Sequence, residues 1–241
     1  VNSPGKLTVN KGHGPKDNGT FDPGAIGPTG LKESTQNQEI GDLVIANMRR
    51  NGWTVLDIQD GDLDDVTDVS NAWVPQYFLS IHADSFADPT AHGITTYVQA
   101  LGGWAERIAR EVQKEMILAT GLTDRGVKVA NLHVTRETNG PALLVECGFI
   151  SNPKEEALMK HPKWDQTVSS AICRGLSRAV DVPYSESITP VIASSVAFTE
   201  ALDPDVNLVV WVAESKVLRA IQDIKRLGFY AEQFPLKLRR D

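Results

Sequence analysis

Four short polar segments of this 241-residue chain set a ligand-type or base-type side chain beside glycine or at the end of an apolar run. The first is Lys11-Gly12-His13-Gly14. Glycines on both sides of a histidine let the backbone turn sharply and leave the ring uncovered, as an open metal site requires. An ordinary loop histidine fits the same residues. The second runs from Asp22-Pro23-Gly24-Ala25-Ile26-Gly27 to Gly30-Leu31-Lys32-Glu33, where a helical pattern starts. Taken alone, Glu33 reads as a carboxylate that complements the positive end of that helix. In the third, Leu79-Ser80-Ile81-His82-Ala83-Asp84-Ser85, a histidine leaves the carboxyl end of a strand, the edge of an open α/β sheet where ligands bind. The fourth is Leu144-Val145-Glu146-Cys147-Gly148-Phe149-Ile150-Ser151-Asn152, in which an apolar strand ends in a carboxylate. Burying that charge without a partner is costly, so Glu146 serves either chemistry or a structural ion pair.

The elements that must position these side chains alternate between strand and helix through the first 180 residues. That alternation predicts an α/β fold: a mixed, largely parallel central sheet flanked by helices on both faces. Leu7 to Asn10, Thr54 to Ile58, Tyr77 to Ile81 and Ile94 to Gln99 read as strands, being rich in β-branched and aromatic residues. Ala142 to Val145, a continuous apolar run after Pro141, suits a central strand buried on both faces. Ser34 and Thr35 are placed to cap a helix whose apolar face is Ile40, Leu43, Val44 and Met48, ending before Gly52. A second helix carries the stripe Trp104, Ile108, Val112 and Met116 and stops at Gly121, and a third spans Trp164 to Val180 with Val168, Ile172, Leu176 and Ala179 inward. Asp181 to Ser187 has linker composition. The chain therefore divides into residues 1–180 and a small C-terminal α+β module, residues 188–241, near the lower limit for independent stability. Self-association into a homodimer through a strand edge is one reading of that module, and a merely stabilising extension is another.

Bulk properties exclude several classes. A net charge of −7, from 24 Lys and Arg against 31 Asp and Glu, is the wrong sign for a general nucleic-acid binder. It also disfavours simple electrostatic attachment to anionic polymers or lipids. No apolar run approaches the roughly 20 residues that span a bilayer, so no membrane insertion is expected. The opening Val-Asn-Ser-Pro-Gly-Lys lacks a signal-peptide pattern, but with Val rather than Met first this carries no weight. Two cysteines, Cys147 and Cys173, are too few for a disulfide framework or a four-thiolate zinc site, and both read as small buried residues. Cys147 neighbours Glu146, yet adjacent strand positions point to opposite faces, which argues against a thiol protease.

Taken in order, Gly-His-Gly, Asp-Pro-Gly-Ala-Ile-Gly, Gly-Leu-Lys-Glu, Ser-Ile-His-Ala-Asp, Asp124-Arg125-Gly126-Val127-Lys128 and Val-Glu-Cys-Gly-Phe-Ile-Ser-Asn resemble the zinc amidases of the amidase 3 family of N-acetylmuramoyl-L-alanine amidases, which includes autolysins and phage endolysins. The resemblance covers roughly residues 6 to 180. It implies that His13, Glu33 and His82 hold Zn2+ and that Glu146 is the catalytic carboxylate. Two imidazoles and a carboxylate agree with a catalytic zinc site, which keeps one position open for water. The implied activity is cleavage of the muramoyl–L-alanine amide in peptidoglycan, the implied partner, at the cell wall by a secreted or phage-released enzyme; for such an enzyme the leading expectation for residues 188–241 is cell-wall binding, because tethering raises the effective concentration of an insoluble substrate. His133, in Asn131-Leu132-His133-Val134, is a candidate substrate contact or else a surface or packing residue; His92 and His161 match no family ligand. Two departures stand out: an insertion from Pro15 to Phe21 before Asp22-Pro23, and Leu56-Asp57-Ile58-Gln59-Asp60 where the family commonly has an arginine. The competing readings are a zinc peptidase cutting within the stem peptide and a non-catalytic wall-binding protein.

Overall fold

The computed structural model describes residues 2–59 and 61–186. The expected strands and helix of 188–241 lie outside the described residues. Fourteen elements follow in chain order: β1 (Lys6–Lys11), β2 (Gly14–Pro15), β3 (Phe21–Asp22), α1 (Glu33–Arg50), β4 (Thr54–Ile58), α2 (Leu63–Trp73), β5 (Tyr77–Asp84), β6 (Ile94–Val98), α3 (Trp104–Thr120), β7 (Asp124–Val129), α4 (His133–Arg136), β8 (Ala142–Phe149), α5 (Pro153–Met159) and α6 (Trp164–Ala179). Six strands form one sheet in the order β4-β1-β5-β8-β6-β7, and β2 and β3 pair as a small hairpin. Every neighbour pair in the large sheet is parallel except β6 with β8. The expected mixed, largely parallel sheet is therefore present.

Strand alternation distributes the side chains between two cores. On one face Leu7, Val9, Leu79, Ile81, Leu143, Val145, Ile94 and Val98 pack against the apolar sides of α1, α3 and α6, including Ile40, Val44, Ile108, Val112, Val168 and Ile172. On the other, Phe78, Ala142 and Leu144 meet Val66 of α2 and Val134 of α4 in a smaller cluster. The helices thus flank both faces; in the second cluster β4 contributes its last residue, Ile58, but β5 and β8 contribute only residues of their amino-terminal halves, Phe78, Ala142 and Leu144. The carboxyl ends of β5 and β8 run beyond that cluster.

Two local expectations needed correction, and one helix was not anticipated. Ser34 and Thr35 do not cap α1, which begins at Glu33 with no side-chain cap. Instead the amides of Glu33 and Ser34 donate to the carbonyls of Ala25 and Pro23, so the preceding loop satisfies the first turn. Trp104 is not part of the buried stripe of α3: it is 51% exposed, with the Arg107 guanidinium stacked 4.8 Å from its ring centroid. The helix α2 had no sequence signal, since Asp, Thr, Ser and Asn are poor helix formers. Packing of Val66 and a 2.9 Å hydrogen bond between Ser70 and Thr8 of β1 hold it in place. No helix among the described residues is long and apolar enough to cross a membrane.

Candidate metal and catalytic centre

The turn after β1 carries His13 at φ 65°, a left-handed conformation that costs a non-glycine residue energy and persists only where its surroundings fix it. Here the β2–β3 hairpin fixes it, pairing Gly14 with Asp22. Asp22 Oδ2 then lies 3.0 Å from His13 Nδ1, leaving Nε2 to face Glu33 Oε2 at 3.1 Å. Glu33 opens α1 and reaches across to β5, where its Oε1 lies 3.0 Å from His82 Nδ1. Backbone amides hold both carboxylate oxygens: Ala25 donates to Oε2 at 2.8 Å and Ala83 to Oε1 at 3.1 Å. The two imidazoles meet edge to face with centroids 5.1 Å apart. His13, Glu33 and His82 each offer one ligand atom, all within 4.8 Å of one another. The chain thus brings together three residues separated by 69 positions of sequence, from 82 − 13.

The electrostatics follow from that crowding. Burial lowers the affinity of His13 for a proton, but the hydrogen bonds and charges of Glu33 and Asp22 outweigh it and lift the ring to about 9. Burial alone would raise Glu33, yet the two imidazoles hold its carboxyl well below the usual carboxylate range. This is a nearly buried anion that keeps its charge and draws positive charge to it. Two imidazoles and one carboxylate, with a second carboxylate on the far nitrogen of His13 and amides on Glu33, are a donor set and outer support that could hold a metal ion with a position left open.

Glu146 sits on β8 as the register partner of His82 on β5. Its Oε2 is buried and has no hydrogen-bond partner among the described residues. Burial, then the charges of Asp84 and Glu33, push its carboxyl well above the usual range. Such an orphaned acid beside a cluster of donors has the features of a proton-transfer group, and no ion pair of Glu146 occurs among the described residues to support the structural alternative. Cys147 is fully buried, and burial with the neighbouring carboxylates drives its thiol well up, so it supplies no thiolate.

His133 does not join this group. Its Nε2 lies 3.3 Å from Asp64 Oδ1 and 3.4 Å from Thr67 Oγ1, both on α2. His92 and His161 are exposed. The insertion from Pro15 to Phe21 docks beside α2, where Asp17 donates its amide to Asp62 at 2.8 Å. Sequence reasoning missed the residues that brace the walls. Asn152 caps α5 through the amides of Lys154 and Glu155 and donates to the Ala91 carbonyl. Glu155 accepts from the amides of Gly93 and Phe149, and Glu156 accepts from Thr29 and Leu31. Thr29 lies 127 residues before Glu156, a partnership without a local signal. Lys11, at the end of β1, is buried between Asp42 and Asp57 at 2.8 Å each, so Asp57 in the second departure has a structural partner.

Residues 7–178 match the family described as N-acetylmuramoyl-L-alanine amidase. The chain is 30% identical over 185 residues to N-acetylmuramoyl-L-alanine amidase CwlM of Bacillus licheniformis, covering 73% of this chain and 69% of that protein. It is 32% identical over 190 residues to the sporulation-specific N-acetylmuramoyl-L-alanine amidase of Bacillus subtilis, covering 76% and 71%. Among solved structures it resembles the catalytic domain of CwlV, an N-acetylmuramoyl-L-alanine amidase from Bacillus (Paenibacillus) polymyxa var. colistinus. That likeness has a TM-score of 0.66 at 31% identity and covers 74% of this chain and 99% of the other.

Proposed function

The chain belongs to the N-acetylmuramoyl-L-alanine amidase family, and from that premise we propose that His13, Glu33 and His82 hold a zinc ion while Glu146 moves the proton in the reaction. The activity is hydrolysis of the amide between N-acetylmuramic acid and L-alanine in peptidoglycan, at the cell wall. What carries the residue assignment is a single arrangement: three convergent donors within 4.8 Å, with an unpartnered carboxylate oxygen on the adjacent strand.

A zinc ion bound there supplies Lewis acidity, which polarises a carbonyl and acidifies water. The protein's own contribution is to hold donors and move a proton. Asp22 fixes which nitrogen of His13 faces inward, and Ala25 and Ala83 orient the Glu33 carboxylate. Glu146 accepts a proton from the attacking water and returns it to the amide nitrogen as that bond breaks, so the departing stem leaves as a neutral amine. Its raised proton affinity favours the accepting half of that task. No nucleophilic serine or cysteine takes part.

Mass spectrometry of digested walls tests the activity. An amidase frees intact stem peptides beginning with L-alanine and leaves glycan with unsubstituted lactyl groups. Shortened stems still attached to muramic acid would replace this reading with a stem peptidase, and unchanged walls would replace it with a non-catalytic wall binder.

A further inference from the structure

We propose that Arg125 and Lys128 form a carboxylate-binding subsite for the peptide stem of the substrate, and that the bulge at Gly126 exists to build it. The identity of the ligand rests on the amidase reading; the site itself rests on strand register.

Residues three apart on a regular strand point to opposite faces of a sheet. Along β7, however, Asp124 pairs with Ile94 while Val127 pairs with Thr96, so β7 spends three residues against two of β6. The extra residue falls at Arg125–Gly126, and Gly126 takes the positive φ of 79° that such a kink needs. The bulge brings Arg125 and Lys128 onto one face. That face is the one bearing Glu146. Lys128 pairs with Tyr97, Thr95 two residues before it pairs with Glu146, and Glu146 pairs with His82. On the opposite side Asp124 is held by Gln113 of α3, as alternation requires. A row from His82 through Glu146 and Thr95 to Arg125 therefore crosses four strands at the end of the sheet where β5 and β8 run beyond the smaller cluster.

Arg125 is held in place rather than loose. Its guanidinium lies 4.9 Å from the centroid of Phe149, and one of its nitrogens donates to the His92 carbonyl at 3.2 Å. A guanidinium has five N–H donors, so this leaves capacity for a bidentate carboxylate. The surrounding charge explains why cations are needed. Glu33 and Asp84 place carboxylates at this end of the sheet, and the whole chain carries −7. A stem peptide, itself a carboxylate, would be repelled from such a surface. Arg125 and Lys128 already act on Asp84 electrostatically, which places their charge at this end of the site. Together they give one flank of the site a positive edge, with the metal ligands on the other.

The test reads binding without turnover, on the full chain loaded with zinc. Two synthetic stem tetrapeptides are titrated by calorimetry, one with free carboxylates and one with the same groups as carboxamides. The parent is expected to bind the carboxylate form at least about tenfold more tightly, the worth of a charge-assisted hydrogen bond. R125A and K128A should each cut that preference below about threefold by weakening only the carboxylate form, with R125K restoring part of it. A parent without preference, a parent that binds neither peptide, variants that keep the preference, or variants that lose both peptides equally would each overturn the subsite. Circular dichroism confirms that the variants fold. Failure of the amidase reading would show separately, in the muropeptide masses, and would leave the binding result intact.

Discussion

Replacing Gly12 with alanine tests how the proposed metal ligands are held. A Cβ built on Gly12 falls 2.2 Å from His82 Cε1 and 2.3 Å from His82 Nε2. Ordinary carbon contacts begin near 3.5 Å, so the ring must withdraw by about 1.3 Å or the turn must open by as much. Neither adjustment is easy: Gly12 donates its amide to the Ile81 carbonyl at 3.1 Å, and its own carbonyl accepts from Asn37 Nδ2 at 3.0 Å. Zinc–ligand distances tolerate only about 0.2 Å, so a displacement of this size should remove His82 from the donor set. We expect G12A to bind zinc about 100-fold more weakly or worse, at the upper end of what disturbing a ligand's support costs. Competition against a chromophoric chelator measures that constant, and thermal unfolding of the metal-free protein shows whether the fold survives. A folded G12A with zinc affinity within about threefold of the parent would refute the assignment of His82 as a tightly positioned ligand.

Three further outcomes follow from the same geometry. Glu146→Gln keeps the shape of the side chain but cannot take a proton, so kcat should fall by about 10²–10⁴ while zinc affinity stays close to that of the parent; undiminished turnover would remove Glu146 from the mechanism. Chelation should abolish wall digestion and added zinc restore it, and persistent activity in a sample shown by elemental analysis to be metal-free would count against the proposed cofactor. Asp165 provides a test of stability against pH: burial and then the Glu39 charge raise its carboxyl to about 6, although Gln36 donates to it. An acid raised in the folded state binds its proton more tightly there than in the unfolded chain, so ionising it destabilises the fold. The cost is fully present above pH 6 and disappears as pH falls below the ordinary carboxylate value. D165N should therefore be more stable than the parent at pH 8, by about 1 kcal/mol after allowance for partial solvent screening, and the two should converge near pH 3.5; equal denaturant midpoints at pH 8 would refute this.

The residues of the centre were legible in the sequence because each carried a local mark. His13 has glycines on both sides, His82 ends an apolar strand, and Glu146 is a charge where an apolar run should finish. Glu33 was the exception: alone it looked like a helix-end carboxylate, and it does open α1, but its two oxygens are spent on His13, His82 and the amides of Ala25 and Ala83. Strand and helix periodicity fixed the fold class for a similar reason, since burying one side of each element imprints a repeat of about two or 3.6 residues. Only the tertiary structure supplied α2, whose residues disfavour a helix until Val66 and Ser70 find the sheet. Only it revealed the bracing by Glu155 and Glu156, whose partners are backbone amides far away in sequence, and the bulge that turns Arg125 and Lys128 to one face. Backbone amides look the same at every position of a sequence, and register belongs to pairs of strands; contacts made through either become visible only once the chain has folded.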